Sequence, residues 1–360
     1  TSPPDFDIDF SWKERDEVLD YIFKRYGKRH TALIGTISTF RDRSIFRELG
    51  KVYGLPKEEI DLLVKEPENK LNDKSGIRRW DVNGLQVSEC GRGQDVVLVH
   101  GSASDHRTWQ GQQDHWCDTY HLIAYSRRFH WPNEAIKPGG VYSLDQHVTD
   151  LQDLLVELEL GSATLVGHSY GAVVSLELAA RRPELVTRLV LAEPPALGLF
   201  VGVPPTFLQL LKVTVRRPRT ALSILKLGAT SMGPAATALE RGDEEEAVRR
   251  LGVGILGEQA FGRLSEERRA QVRDNLILEE LRSAEAFPRM DPDTVASIRC
   301  PTLLLEGERS PRIFSHLMDY LQELLPNRER VKIPDASHIL HEDNPAEFHR
   351  VIESFLDVQT

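Results

Sequence analysis

Cysteine and unbroken apolar runs are scarce in this 360-residue chain. Its three cysteines, Cys90, Cys117 and Cys300, stand at scattered spacings that make neither a disulfide framework nor a zinc pattern, which suits a reducing cytoplasm. The most apolar long stretch, Leu189 to Leu211, is broken by Glu193 and four prolines, so no membrane span is expected. Thr1 to Trp12 is polar and acidic and lacks a signal-peptide pattern. Basic charge is in the minority, with 45 Lys and Arg against 55 Asp and Glu and a net charge of −10. A nucleic-acid binder normally carries a basic face, so no nucleic-acid partner is expected. No phosphate-cradling glycine loop or metal-ligand cluster appears, and the expected cofactors and metals are none. A soluble cytoplasmic protein acting on a small molecule is the class that remains.

What is present falls into two unlike pieces. The stretch Glu66-Pro67-Glu68-Asn69-Lys70-Leu71-Asn72-Asp73-Lys74-Ser75-Gly76 is polar and linker-like. Before it, a strand-like Phe6-Asp7-Ile8-Asp9-Phe10 leads into a helix, with Ser11 and Glu14 as a capping box and Gly27 as its stop. Thr31 to Ile37 reads as a second strand. Helices are expected at about Phe40 to Tyr53 and after Leu55, with Pro56 in the first turn.

Pro4-Asp5-Phe6-Asp7-Ile8-Asp9-Phe10, Lys13 to Val18, Arg25-Tyr26-Gly27 and Gly54-Leu55-Pro56 together resemble the DNA polymerase III alpha subunit, the bacterial replicative polymerase. The resemblance covers about residues 1–75. It implies that Asp7 and Asp9 match two aspartates that hold catalytic magnesium in that family. Alternate residues of a strand share a face, so these two carboxylates would converge. The family's third aspartate and its fingers and thumb domains have no counterpart here, and polymerase activity is not expected.

From Ile77 onward strands and helices alternate, as in α/β folds. Trp80 to Val82 and Leu85 to Val87 flank Asn83-Gly84, a favoured two-residue hairpin turn. Val96 to Val99 and Leu122 to Tyr125 read as buried strands. Leu144 to Leu158 is an amphipathic helix with Leu151, Leu154, Leu155 and Leu158 on one side. Ala163 to Val166 then runs into Gly167-His168-Ser169-Tyr170-Gly171 and an apolar-periodic helix that Pro183 ends. A Gly-x-Ser-x-Gly between strand and helix is a nucleophile elbow, which makes Ser169 the candidate nucleophile. Strands are expected at Val186 to Ala192, Thr302 to Leu305 and Arg330 to Ile333, and helices at Phe314 to Leu325 and Pro345 to Leu356. A helical, non-alternating insertion occupies about Pro194 to Met290.

Serine needs an adjacent base, expected as a late histidine after the last strand. His338, in Asp335-Ala336-Ser337-His338, fits that place. His341, three residues on, is its rival.

This order, with His100-Gly101 after the third strand, the elbow, and Ala336-Ser337-His338 near the end, resembles the α/β-hydrolase fold with a helical cap. The resemblance covers residues 77–357, with a core of 77–193 and 291–357 and a cap of 194–290. It implies an oxyanion hole from the backbone N–H groups of Ser102 and Tyr170. It also implies a carboxylate to hold the histidine. Many relatives place an aspartate after the strand that begins at Pro301, but Ser310 stands there. Other relatives, including haloalkane dehalogenases, place the acid after the preceding strand, where this chain has Glu193. A carboxylate ending an apolar strand is costly without a partner, and an imidazolium would be one. Glu193 is therefore the favoured acid, with Glu308 as the alternative. The relatives that open epoxides or remove halides use aspartate where Ser169 stands.

The expected function is a serine hydrolase that cleaves a small ester, thioester or lactone through an acyl-enzyme. Alternatives are carbon–carbon bond hydrolysis, cofactor-free haloperoxidation, or a non-catalytic ligand-binding protein of the same fold. Pro194 to Val203 is rich in apolar residues and would suit an apolar substrate. Arg216, Arg217 and Arg219 read as a solvated helix face.

Overall fold

The computed structural model describes residues 15–26, 76–137, 139–202, 204–275, 279–280 and 283–357. The chain divides into two units at residue 70. In the first unit the described part is one helix, Arg15–Tyr26, on the stretch where a helix was expected. Its capping box, Asp7, Asp9 and the other elements expected before residue 75 lie outside the described residues.

The second unit is built on an eight-stranded sheet in the order β1-β2-β4-β3-β5-β6-β7-β8. The strands are β1 Arg78–Val82, β2 Leu85–Cys90, β3 Asp95–Val99, β4 His121–Tyr125, β5 Ala163–His168, β6 Val186–Ala192, β7 Thr302–Gly307 and β8 Arg328–Ile333. β1 and β2 form the hairpin that Asn83-Gly84 predicts, with both turn residues at positive φ (54° and 82°). β2 pairs antiparallel with β4, and every later pairing is parallel. A parallel sheet must be covered on both faces, and the apolar runs of β3, β5, β6 and β7 serve that need.

Alternation along the strands splits the core in two. Val97, Val99, Leu165, Leu189, Leu191 and Leu304 point to one face, against the helices Leu144–Glu157, Tyr170–Arg181 and Arg312–Leu324. Val96, Leu98, Val166, Val190, Leu303 and Leu305 point to the other, against Trp109, Trp116, Phe348 and Ile352. The helix Leu144–Glu157 starts at a full capping box, in which Ser143 and Gln146 satisfy each other's backbone N–H groups.

Between β6 and β7 the alternation stops. The helices Phe207–Arg216, Pro218–Leu227, Gly233–Glu240, Glu244–Leu256, Glu258–Gly262 and Glu266–Asp274 form an insertion with a small core of Ala235, Ala238, Ala247 and Leu251. Polar contacts tie the insertion to the loop after β3. Asp105 accepts from Gln271 Nε2 at 3.1 Å and from Asn275 Nδ2 at 2.6 Å, and Arg268 Nη1 donates to Ser104 Oγ at 3.1 Å. Burial alone would raise the Asp105 carboxyl, but hydrogen bonds from Arg107 outweigh it and hold the group at about 2.

The cysteine reading needs correction. Cys90, at the end of β2, and Cys117, just past the helix Gln110–Trp116, form a disulfide with their Cα atoms 5.4 Å apart. A spacing of 27 residues gives no hint of this pairing, because it arises from the end of β2 meeting the end of a helix. The absence of a disulfide therefore cannot support a reducing compartment. Among the described residues no helix is long and apolar enough to cross a membrane.

Candidate active site

The C-terminal ends of β3, β5, β6 and β7 meet the loop after β8, as ligand sites do in open parallel sheets. Ser169 occupies the turn between β5 and the helix Tyr170–Arg181 with φ 52° and ψ −121°. Such a conformation costs energy in a non-glycine residue and persists only where its surroundings enforce it. Two glycines provide the room. A Cβ on Gly171 would fall 2.1 Å from the Val99 carbonyl oxygen, and one on Gly101 would fall 2.9 Å from Ser169 Cβ. The Ser169 N–H donates to the Ala192 carbonyl at 2.8 Å, fixing the elbow to β6.

Glu193 follows β6 directly, fully buried and with φ 48°. Its carboxylate accepts from three donors. Oε1 accepts from the Gly307 N–H at 2.8 Å, and Oε2 accepts from Ser310 Oγ at 2.9 Å and from His338 Nδ1 at 2.7 Å. A carboxylate only accepts, so His338 Nδ1 carries the proton of this contact. Phe314 stacks on the His338 ring with centroids 4.1 Å apart. Ser310, where an aspartate was looked for, is thus a hydrogen-bond donor to Glu193.

The other sequence candidates lie elsewhere. Glu308 is exposed and its Oε2 accepts from the Asp335 N–H at 3.0 Å, away from His338. His341 is buried and turned to Thr108. Thr108 Oγ1 donates to Glu342 at 2.6 Å, so it must accept from His341 Nε2 at 2.9 Å. Burial and the nearby Arg268 push the His341 imidazole down to about 3.

The residue before Ser169 ties the elbow to the segment that carries His338. His168 Nε2 donates to the His338 carbonyl at 2.8 Å, linking the elbow to the loop after β8. Ser169 Oγ itself makes no hydrogen bond among the described residues. Tyr170 opens its helix, where the first N–H groups have no partner within the helix, and Ser102 stands in the loop after β3.

A buried polar network behind that loop escaped the sequence reading. Arg127 is fully buried after β4. Its Nε donates to the His100 carbonyl at 3.1 Å, Nη2 to the Gly101 carbonyl at 3.0 Å and Nη1 to Tyr142 Oη at 2.8 Å. The Arg127 N–H donates to His100 Nε2 at 2.8 Å, so His100 Nδ1 carries the proton given to the Gly101 carbonyl. Burial and Arg127 hold the His100 imidazole well below its ordinary range. His100 thereby braces the loop. Glu280, from the insertion, accepts from Ser102 Oγ, and burial pushes its carboxyl up while Arg127 pulls it down.

A cavity of about 560 Å³ opens beside the His338 loop, lined by Leu256, Arg268, Arg309, Asp335, Ser337 and Glu342. Neither Ser169 nor His338 lines it, although Ser337 and Ile339, on either side of His338, do. Among the described residues no cluster of three or more His, Cys, Asp or Glu side chains is placed to hold a metal.

Residues 96–351 match the model of the alpha/beta hydrolase family, and residues 1–89 match that of the bacterial DNA polymerase III alpha NTPase domain. The second match runs over β1 and most of β2. An error-prone DNA polymerase of Vibrio campbellii is 33% identical over 102 residues, which is 27% of this chain and 10% of that protein. The chain therefore spans about a tenth of such curated relatives. Among solved structures, a hydrolase from Pseudomonas aeruginosa PA01 superposes with a TM-score of 0.59 at 19% identity, covering 79% of this chain and 100% of the other. A carboxylesterase from Bacillus subtilis gives 0.57 at 17%, covering 79% and 92%. An N-acyl homoserine lactone degrading enzyme gives 0.51 at 22%, covering 77% and 99%. At these identities the likeness is one of fold.

Proposed function

We propose that this chain, which belongs to the alpha/beta hydrolase family, is a serine hydrolase of small esters, thioesters or lactones that works through an acyl-enzyme. The observation that carries the reading is the contact of Glu193 with His338 Nδ1, at the sheet edge where the strained Ser169 turn stands. In the proposed reaction Ser169 Oγ attacks the substrate carbonyl while His338 Nε2 takes its proton. Glu193 keeps the imidazole in the Nδ1–H form and stabilises the imidazolium. The backbone N–H groups of Tyr170 and Ser102 receive the charge that grows on the carbonyl oxygen. His338 then gives the proton to the leaving group, and water, activated by the same histidine, releases the acyl group. The bond from Ser169 Oγ to His338 Nε2 forms on substrate binding, since such bonds are often long or absent before the substrate arrives. The insertion acts as a cap, held over the site by its contacts with the loop after β3.

Ester and lactone substrates are favoured because similar folds include a carboxylesterase and a lactone-degrading enzyme. Attack on carbonyl carbon also suits a serine whose proton a histidine can take. The polymerase-like segment is proposed to lack polymerase activity in this chain. The test is labelling of the folded protein with a fluorophosphonate, wild type beside Ser169→Ala, followed by a panel of p-nitrophenyl esters and lactones. Labelling lost in the variant and turnover on the panel support the reading. A folded protein that neither labels nor turns over any of them overturns it in favour of a ligand-binding role.

A further inference from the structure

Between Glu193 and Glu240 the chain contains no aspartate or glutamate, although acidic residues outnumber basic ones over its whole length. The same stretch holds Lys212, Arg216, Arg217, Arg219 and Lys226. Arg217 is engaged, with its guanidinium on Glu323 and 4.2 Å over the Tyr320 ring. The other four cations are exposed and have no ion pair among the described residues. A locally basic surface therefore stands on a protein of net charge −10.

That surface is also apolar. The helices Phe207–Arg216 and Pro218–Leu227 pack on each other and bury Val213, Ala221 and Ile224 on their inner side. Their outer side exposes Phe207 (82%), Leu208 (73%), Val215 (75%) and Leu222 (69%), with Leu211 and Leu225 about half exposed. Residues four apart are neighbours on a helix. Phe207, Leu211 and Val215 thus form one row, and Leu208, Lys212 and Arg216 form the row beside it. On the second helix Arg219 and Lys226 flank Leu222. Scattered exposed apolar residues are ordinary, but a contiguous group of six marks a surface that meets something else.

We infer that this helical pair docks on an anionic lipid surface. Apolar side chains that enter the acyl boundary, ringed by cations at the level of the headgroups, are the requirements of a helix lying in a membrane interface. Each helix has ten residues, too few to span a bilayer, so the pair lies on the surface. A second copy of the chain fits less well. A two-fold contact would bring the four unpaired cations of one face against those of the other. This mode differs from a membrane span, for which no helix among the described residues is long and apolar enough, and it does not depend on Ser169 being a nucleophile.

The experiment is co-sedimentation of the full chain with vesicles of phosphatidylglycerol and phosphatidylcholine in equal parts, beside vesicles of phosphatidylcholine alone. Binding to the anionic vesicles is expected to be about tenfold stronger and to fall as salt screens the headgroups. The charge-reversal pair Lys212→Glu and Arg216→Glu should remove the anionic preference. Leu208→Ser with Leu211→Ser should lower binding about tenfold while the thermal midpoint and any turnover of a soluble ester stay as in wild type. Equal binding to both vesicles, or binding that none of these variants alters, overturns the proposal. So does a concentration-dependent dimer seen by light scattering that the leucine pair disrupts while vesicle binding is absent.

Discussion

The sheet edge and the first two helices of the insertion break the ordinary inside–outside rule in opposite directions. At the edge, Arg127, Glu193, Glu280, His100 and His338 are buried together. On the helices, Phe207, Leu208, Val215 and Leu222 face outward. Buried polar groups and exposed apolar patches are the two informative departures, since each is costly unless something compensates it. The edge supplies its compensation internally. Glu193 accepts from three donors, and the Arg127 fork finds its acceptors within the fold. The helical face has no such answer among the described residues, which is why its partner is sought outside the chain. Substitutions should therefore be expensive at the edge and nearly free on the face.

The largest effect is expected on chemistry at the edge. Ser169→Ala should lower ester turnover by about a thousandfold or more with an unchanged melting midpoint. Glu193→Gln should lower kcat by orders of magnitude, about ten-thousandfold by analogy with other triads, because it removes the charge that favours the imidazolium. Glu308→Gln should leave kcat within a factor of about two. Reversal of those two results would move the acid to the loop after β7.

Arg127→Met probes the same edge through stability. It removes the donors to the His100 and Gly101 carbonyls and leaves Glu280 buried without its cation. The expected loss is about 3–5 kcal/mol in urea unfolding. A loss below about 1 kcal/mol would mean that water or a shifted side chain replaces the guanidinium.

Acid should weaken the buried histidines next. Burial lowers His341 to about 3 and His106 and His349 to about 4, and holds His100, His130, His147 and His168 well below their ordinary range. In the unfolded chain these groups take up protons near pH 6.5, so below that pH the unfolded state binds more protons. Their contribution is present in full above about pH 6.5 and is lost as pH falls toward 3–4. His121, raised chiefly by its hydrogen bond to Glu89, works in the opposite sense. Urea midpoints measured from pH 7 to pH 4 should fall, and His341→Gln should make that fall shallower. The smallest effect belongs to the outer face, where Phe207→Ser should change stability by no more than about 0.5 kcal/mol.

Much of this fold could be read from the sequence because its local rules agree with one another. The Asn83-Gly84 turn, the buried runs of β3 and β5, and the capped Leu144–Glu157 helix each announce themselves within a dozen residues. The elbow is equally local, since glycine on both sides of Ser169 answers to one tight turn. Glu193 was singled out through the resemblance to relatives that carry a carboxylate after that strand, supported by the cost of ending an apolar strand in a charge. The remainder depends on contacts between segments far apart in the chain. Arg127 and Glu280 have the residue types of a surface, and only the fold shows them buried against each other's surroundings. Cys90 and Cys117 meet because the end of a strand and the end of a helix coincide in space. Ser310 stands where an aspartate was looked for, and its bond to Glu193 depends on how the ends of two strands meet in space.

The contact of Gly171 with the Val99 carbonyl has a bearing on heredity. In a saturation library of this chain, the positions most closed to change should include ones with no functional group to lose. A serine or an imidazole can be replaced by an inert side chain and leave a folded, silent protein. Any replacement at Gly171 must displace the end of β3 itself, so drift can erase the chemistry of this site more readily than its architecture.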